Sequence, residues 1–151
     1  MFNSKKILEV LEANHLVLKL DENKLLKASK EYQILGYELT ESLKEFLAYF
    51  AYHVIKFKAG SNDDEINFNV SKVLKRCPKY YVKGMESNYS MRKIIPFGLV
   101  YTEHMIFFSD EKDWTYACYD DLVILFGHSQ LEALENIFND KEMARFTLPL
   151  K

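Results

Sequence analysis

Residues 94–134 read IIPFGLVYTEHMIFFSDEKDWTYACYDDLVILFGHSQLEAL, and the punctuation of this stretch decides the fold. Ile94 to Tyr101 and His104 to Ser109 are β-branched and aromatic runs that predict successive strands. A third, Trp114 to Tyr119, follows across Asp110-Glu111-Lys112-Asp113, a loop of turn formers, so the runs predict an antiparallel meander. Ser129 and Glu132 then stand at the S-x-x-E spacing of a capping box, ahead of Leu131, Leu134 and Phe138 on the apolar stripe of a closing helix. No catalytic nucleophile setting, glycine-rich loop or metal-ligand spacing lies inside the stretch, which predicts a binding surface instead of a reaction centre.

Upstream, the period is helical. Ile7, Leu8 and Leu11 follow the candidate caps Asn3 and Ser4, and Asn14 suits the end of that short helix. A second helix starts near Asp21 with Leu25, Ala28, Tyr32 and Leu35 on one stripe, closed by Gly36. A third begins at Thr40, with Leu43, Phe46, Leu47 and Phe50 at i, i+3, i+4 and i+7. The period then falls to two: His53 to Phe57 and Glu65 to Val70 predict a strand pair around a loop of Gly60, Ser61, Asn62 and Asp63. Between 71 and 93 the pattern is weak. Ser71 is a candidate cap for a short helix through Leu74, Pro78 a breaker, and Tyr80, Tyr81 and Val82 show no period. Helices first, an antiparallel sheet next and a closing helix predict an α+β domain spanning 1–151, with no linker or repeat.

Length and composition agree with one domain: 151 residues, 48% apolar and 15% aromatic, can bury roughly two-thirds of the unfolded surface. The net charge of −2 gives no overall attraction to nucleic acid or anionic lipid. The charge is nonetheless uneven, because 16 Lys or Arg face 12 acids over residues 1–100, whereas residues 101–142 carry only Lys112 and Lys141 against 10 acids. The N-terminal residues, interrupted by Glu9 and Glu12, form neither a signal peptide nor a membrane span, and the two cysteines, Cys77 and Cys118, suit a cytoplasmic protein with Cys118 in the core.

The chemistry offered by single residues is thin. His15, His53, His104 and His128 stand at no recognised spacing to a partner, and Glu103 and His104 are strand neighbours that point to opposite faces. No serine has the G-x-S-x-G setting, and no pattern implies a metal or other cofactor. A carboxylate-pair hydrolase built from Asp110, Asp113, Asp120 and Asp121 would need those acids to share a cleft, which turn positions do not provide. The basic run Lys72, Lys75, Arg76, Lys79, Lys83, with Tyr80 and Tyr81 between, reads as a solvated face and not a direct nucleic-acid contact. Solvation of turns is the default reading of the acids and core packing that of the aromatics; binding is the alternative to these, and a stronger expectation than catalysis. The candidate partner-binding residues are Glu103, Asp110, Glu111, Asp113, Trp114, Tyr116, Tyr119, Asp120 and Asp121, since outward aromatics anchor protein interfaces and neighbouring acids select a basic partner.

From about Leu25 to Asn139 the order of motifs resembles the SUKH superfamily of bacterial immunity proteins, and its third subfamily in particular. The resemblance is carried by Leu35-Gly36-Tyr37, by Leu43-Lys44-Glu45-Phe46-Leu47 with Phe50, and by Ile66-Asn67-Phe68-Asn69. It continues through Ile95-Pro96-Phe97-Gly98, Met105-Ile106-Phe107-Phe108, the acidic turn, Trp114-Thr115-Tyr116 and Phe126-Gly127-His128-Ser129 before Leu131-Glu132-Ala133-Leu134. Where many relatives carry Gly-Gly after the third helix, this chain has Ala51-Tyr52. The resemblance implies a non-catalytic antidote that binds and neutralises a cognate toxin domain of a polymorphic or contact-dependent system, many such toxins being nucleases. A scaffold or regulatory interaction module is the alternative, because relatives also occur outside toxin systems.

Overall fold

The computed structural model describes residues 3–143 and 145–147. Three helices come first, α1 (Lys5–Ala13), α2 (Glu22–Ile34) and α3 (Glu41–Phe50). Each begins where a short oxygen-bearing side chain can take a free amide: Ser4, Asp21 and Thr40 accept the N–H groups of Ile7, Lys24 and Leu43. Helix α3 buries Leu43, Phe46, Leu47 and Phe50, as its spacing requires. On α2 the expected stripe is shorter: Ala28 and Tyr32 are fully buried, whereas Leu35 is the exposed C-terminal cap, with Gly36 at φ 81° turning the chain.

Strands β1 (Val54–Ala59) and β2 (Asn62–Asn67) pair from Val54↔Asn67 to Ala59↔Asn62, so only Gly60 and Ser61 remain in the turn. The strand expected to reach Val70 therefore ends early. Phe68 and Val70 are fully buried, which is what the alternating pattern detected, but Asn69 takes the Lys72 N–H and starts α4 (Val70–Arg76) in place of Ser71. Pro78 ends that helix and opens the next, α5 (Lys79–Tyr89), because a residue lacking N–H costs nothing before a first turn. Tyr52 adopts φ 69°, a conformation glycine takes freely, and is held there by its N–H on the Phe68 carbonyl at 2.8 Å and by its hydroxyl on Glu31.

Strands β3 (Ile95–Val100), β4 (Met105–Ser109), β5 (Thr115–Tyr119) and β6 (Leu122–Gly127) form the expected meander, followed by α6 (Gln130–Phe138) and β7 (Arg145–Thr147). Among the described residues the strands make one sheet in the order β1 to β7, every neighbour antiparallel. Ser129 caps α6 through the Glu132 N–H, but the buried face comprises Ala133, Leu134, Ile137 and Phe138, with Leu131 turned outward.

The sheet is covered on both faces, and strand alternation sorts the cores. Met105 and Phe107 of β4 enter the larger core with Ala117, Ile124 and Phe126, under α1, α3 and α6. Ile106 and Phe108 enter a second core with Cys118 and Val123, roofed by Val82, Met85 and Tyr89 of α5. Both cysteines are buried and free, as expected of Cys118, and burial pushes the Cys77 thiol up to about 12.

The edge strand β1 is closed in its middle. The Asn14 side chain takes the Lys56 N–H at 2.8 Å and gives an N–H to the Lys56 carbonyl at 2.8 Å, reproducing what a neighbouring strand would offer. Lys56 and Lys58 point their charges outward, a second obstacle to strand addition.

Candidate docking surface

An antiparallel meander sends alternate connections to opposite ends of the sheet. The loop 110–114 between β4 and β5 therefore lies at one end, and the β3–β4 and β5–β6 turns lie at the other, with the length of β5, roughly 14 Å, between them. The nine candidate residues consequently fall into two groups that do not share a surface.

At the first end Asp110 and Asp113 are turned inward, and Glu111 is exposed. Asp110 accepts the N–H groups of Lys112 at 2.8 Å and Trp114 at 3.0 Å, and so shapes its own loop. Asp113, at φ 67°, accepts the Thr40 hydroxyl at 2.5 Å and the Gln130 amide at 3.1 Å, joining the cap of α3 to the first turn of α6. Gln130 is buried and also donates to Ser109 at 2.9 Å and accepts from Ser42 at 2.8 Å. Glu111 lies 3.9 Å from Arg92. The Trp114 ring lies tilted at 49° against His128, ring centres 4.6 Å apart, while Tyr116 is half-buried against the second core with its hydroxyl 3.5 Å from Asp110.

Burial raises the Asp110 carboxyl above its ordinary value against the opposing pull of the bonds from Lys112, Trp114 and Tyr116. Burial and the adjacent Asp110 charge push the Tyr116 phenol up to about 12. An acid whose folded value is raised favours folding most when protonated; that contribution is complete below the ordinary value of about 3.9 and is lost as pH rises through the raised one. Asp110→Asn keeps the acceptor and removes the charge, so it is expected to cost less than about 1 kcal/mol at neutral pH and to flatten the acid-side dependence of stability. Urea unfolding followed from about pH 4 to about pH 7 measures this; a slope equal to that of the wild type would refute the assignment.

Three turns lie at the other end. Asp63 is paired with Lys58 at 2.5 Å, and Asp64 accepts the Thr102 hydroxyl at 2.8 Å. Glu103 is held by Lys72 at 2.9 Å and by Arg76, which also donates to its carbonyl at 3.1 Å. This clamp supports three successive left-handed residues, Tyr101, Thr102 and Glu103, at φ 54°, 52° and 67°. Asp120 and Asp121 differ from all of these. They form the two-residue turn between Tyr119 and Leu122, both are exposed, and among the described residues neither has an ion-pair partner. Tyr119 beside them is 51% exposed. Tyr81, partly buried against the second core, has its phenol pushed up to about 12, chiefly by burial.

The basic run is dispersed. Lys72 and Arg76 serve Glu103, Lys79 lies 3.7 Å over the Tyr37 ring, and Tyr81 packs on the second core, leaving Tyr80 exposed between Lys75 and Lys83. Among the described residues no three His, Cys, Asp or Glu side chains form a group able to hold a metal ion, and no helix is long and apolar enough to cross a membrane. Comparison with protein-family models, with curated proteins and with solved structures gave no match.

Proposed function

We propose that this chain is a cytoplasmic immunity protein that binds and neutralises a cognate toxin domain of a bacterial polymorphic or contact-dependent system, a nuclease-type toxin in particular. The observation that carries the reading is the β5–β6 tip, where Asp120 and Asp121, without an ion-pair partner among the described residues, stand beside exposed Tyr119 on a hairpin rooted in both cores. Nuclease surfaces are basic because they attract phosphate, and an acidic tip competes for the same field while accelerating encounter. An aromatic at its centre supplies buried area, and a turn already fixed by strand pairing loses little entropy on docking. The α+β order of elements is the one that the resemblance implies.

Co-expression with the toxin encoded beside this gene tests the reading, with restored growth as the expected result. The combined change Tyr119→Ala, Asp120→Asn and Asp121→Asn is expected to weaken toxin binding at least about tenfold and to reduce its salt dependence. Asp110→Asn with Glu111→Gln should leave both unchanged, because those carboxylates serve the opposite end of the sheet. Unaltered binding by the triple variant would remove the tip from the interface, whereas failure of the wild-type chain to protect would remove the immunity role itself.

A further inference from the structure

Val100 of β3 pairs with Met105 of β4, so Tyr101, Thr102, Glu103 and His104 close this hairpin as a four-residue loop. Loops of that length are ordinarily built around a type I turn, whose central residues are right-handed. Here Tyr101, Thr102 and Glu103 are all left-handed, at φ 54°, 52° and 67°. None is glycine or asparagine, and Thr102 is β-branched, so the Cβ of each crowds its own backbone. Such a run persists only where neighbouring contacts impose it. From β2, the Glu65 carbonyl accepts the Thr102 N–H at 3.2 Å and the Asp64 carboxylate accepts the Thr102 hydroxyl at 2.8 Å. From α4, Lys72 holds one Glu103 carboxylate oxygen at 2.9 Å, and Arg76 lies 3.9 Å from the other while donating to the Glu103 carbonyl at 3.1 Å. The α4 half is ionic and open to water: the Lys72, Arg76 and Glu103 side chains are 48%, 56% and 31% exposed, within reach of salt.

We propose that the β3–β4 turn is a two-state switch set by ionic strength. With the α4 clamp closed the turn is left-handed. When salt screens the clamp, the same four residues close the hairpin in the ordinary hand, which the loop length admits with the strands still paired from Ile95↔Ser109 to Val100↔Met105. The bistable element is the turn, and the charge that biases it is Glu103 between Lys72 and Arg76. Release frees the Glu103 carboxylate at the end of the sheet that carries Asp120 and Asp121 and leaves two cations on α4 without it, so salt changes the charge which that end presents. The switch belongs to the chain alone and does not rest on the immunity reading.

NMR of the full chain, with NaCl raised from about 0.02 M to about 1 M, reads the switch, because the intraresidue HN–Hα cross-peak is stronger at positive φ. At low salt Tyr101, Thr102 and Glu103 are expected to show positive φ. At high salt all three should lose that signature and the Thr102 amide should exchange at least about tenfold faster, while the paired amides of β3 and β4 keep their protection. Glu103→Gln should show the high-salt state already at low salt. Thr102→Asn, whose side chain tolerates the left-handed region, should need more salt to switch. Positive φ retained both at high salt and in Glu103→Gln, protection lost throughout β3 and β4 along with the turn, or a Thr102→Asn turn that switches at the wild-type salt concentration overturns the proposal.

Discussion

Replacing Gly127 by alanine is expected to destabilise the protein by about 3 kcal/mol, equivalent to roughly 10 °C in the unfolding midpoint for a domain of this size. Gly127 ends β6 directly beneath the first turn of α6. A Cβ there would stand 2.7 Å from the Ala133 nitrogen and 3.0 Å from the Glu132 carbonyl carbon, and these are backbone atoms of a capped helix with no freedom to swing aside. Relief would require α6 to lift from the sheet, separating Ala133, Leu134 and Ile137 from the larger core. Gly84 provides the control. It lies inside α5 with nothing within 4 Å of an added Cβ, so Gly84→Ala should stabilise by about 0.5–1 kcal/mol through helix propensity alone. Thermal and urea unfolding of the two variants decide the matter, and a Gly127→Ala protein as stable as the wild type would mean that the sheet and α6 are not in contact at this point.

Gln130→Leu is expected to cost about 3 kcal/mol although it conserves volume. The amide is the centre of a buried polar network, giving N–H groups to Ser109 and Asp113 and accepting from Ser42. Leucine supplies none of these, leaving the buried Ser109 hydroxyl without its donor and the Asp113 carboxylate with Thr40 alone. Gln130→Glu retains an acceptor for Ser42 but places a second carboxylate beside Asp113. Its cost should be largest at neutral pH, where the introduced carboxylate is charged, and diminish as pH falls and that introduced group is protonated. Equal stability of Gln130→Leu and wild type in urea would show that the network contributes nothing; a Gln130→Glu penalty independent of pH would show that Asp113 is not its neighbour.

The caps were legible because they depend on local chemistry: Ser4, Asp21, Thr40 and Ser129 each bond an amide three residues ahead. The meander was legible for the same reason, since a strand alternating into two apolar layers still reads as β-branched and aromatic. Helix α5 was hidden because it buries few positions, Val82, Met85 and Tyr89, interrupted by Gly84 and preceded by a proline that reads as a stop. Phe68 and Val70 misled the strand boundary because burial at alternate positions continues past the last paired residue. The candidate site divided for a different reason. Asp113 and Asp120 are the same residue type, both at positive φ in hairpin connections, and what turns one inward is a hydroxyl 73 residues away at Thr40 and an amide 17 residues away at Gln130, partners that no local pattern announces.

The double covering of β4 and β5 has a consequence for motion. With Phe107 and Ala117 held on one side, Phe108 and Cys118 on the other, and hydrogen-bonded strands along both edges, these amides can exchange with solvent only when the whole molecule opens. The tip at Asp120 and Asp121 is thus the free end of a short, stiff lever whose root does not yield, and force applied there by a partner would be borne by the entire fold.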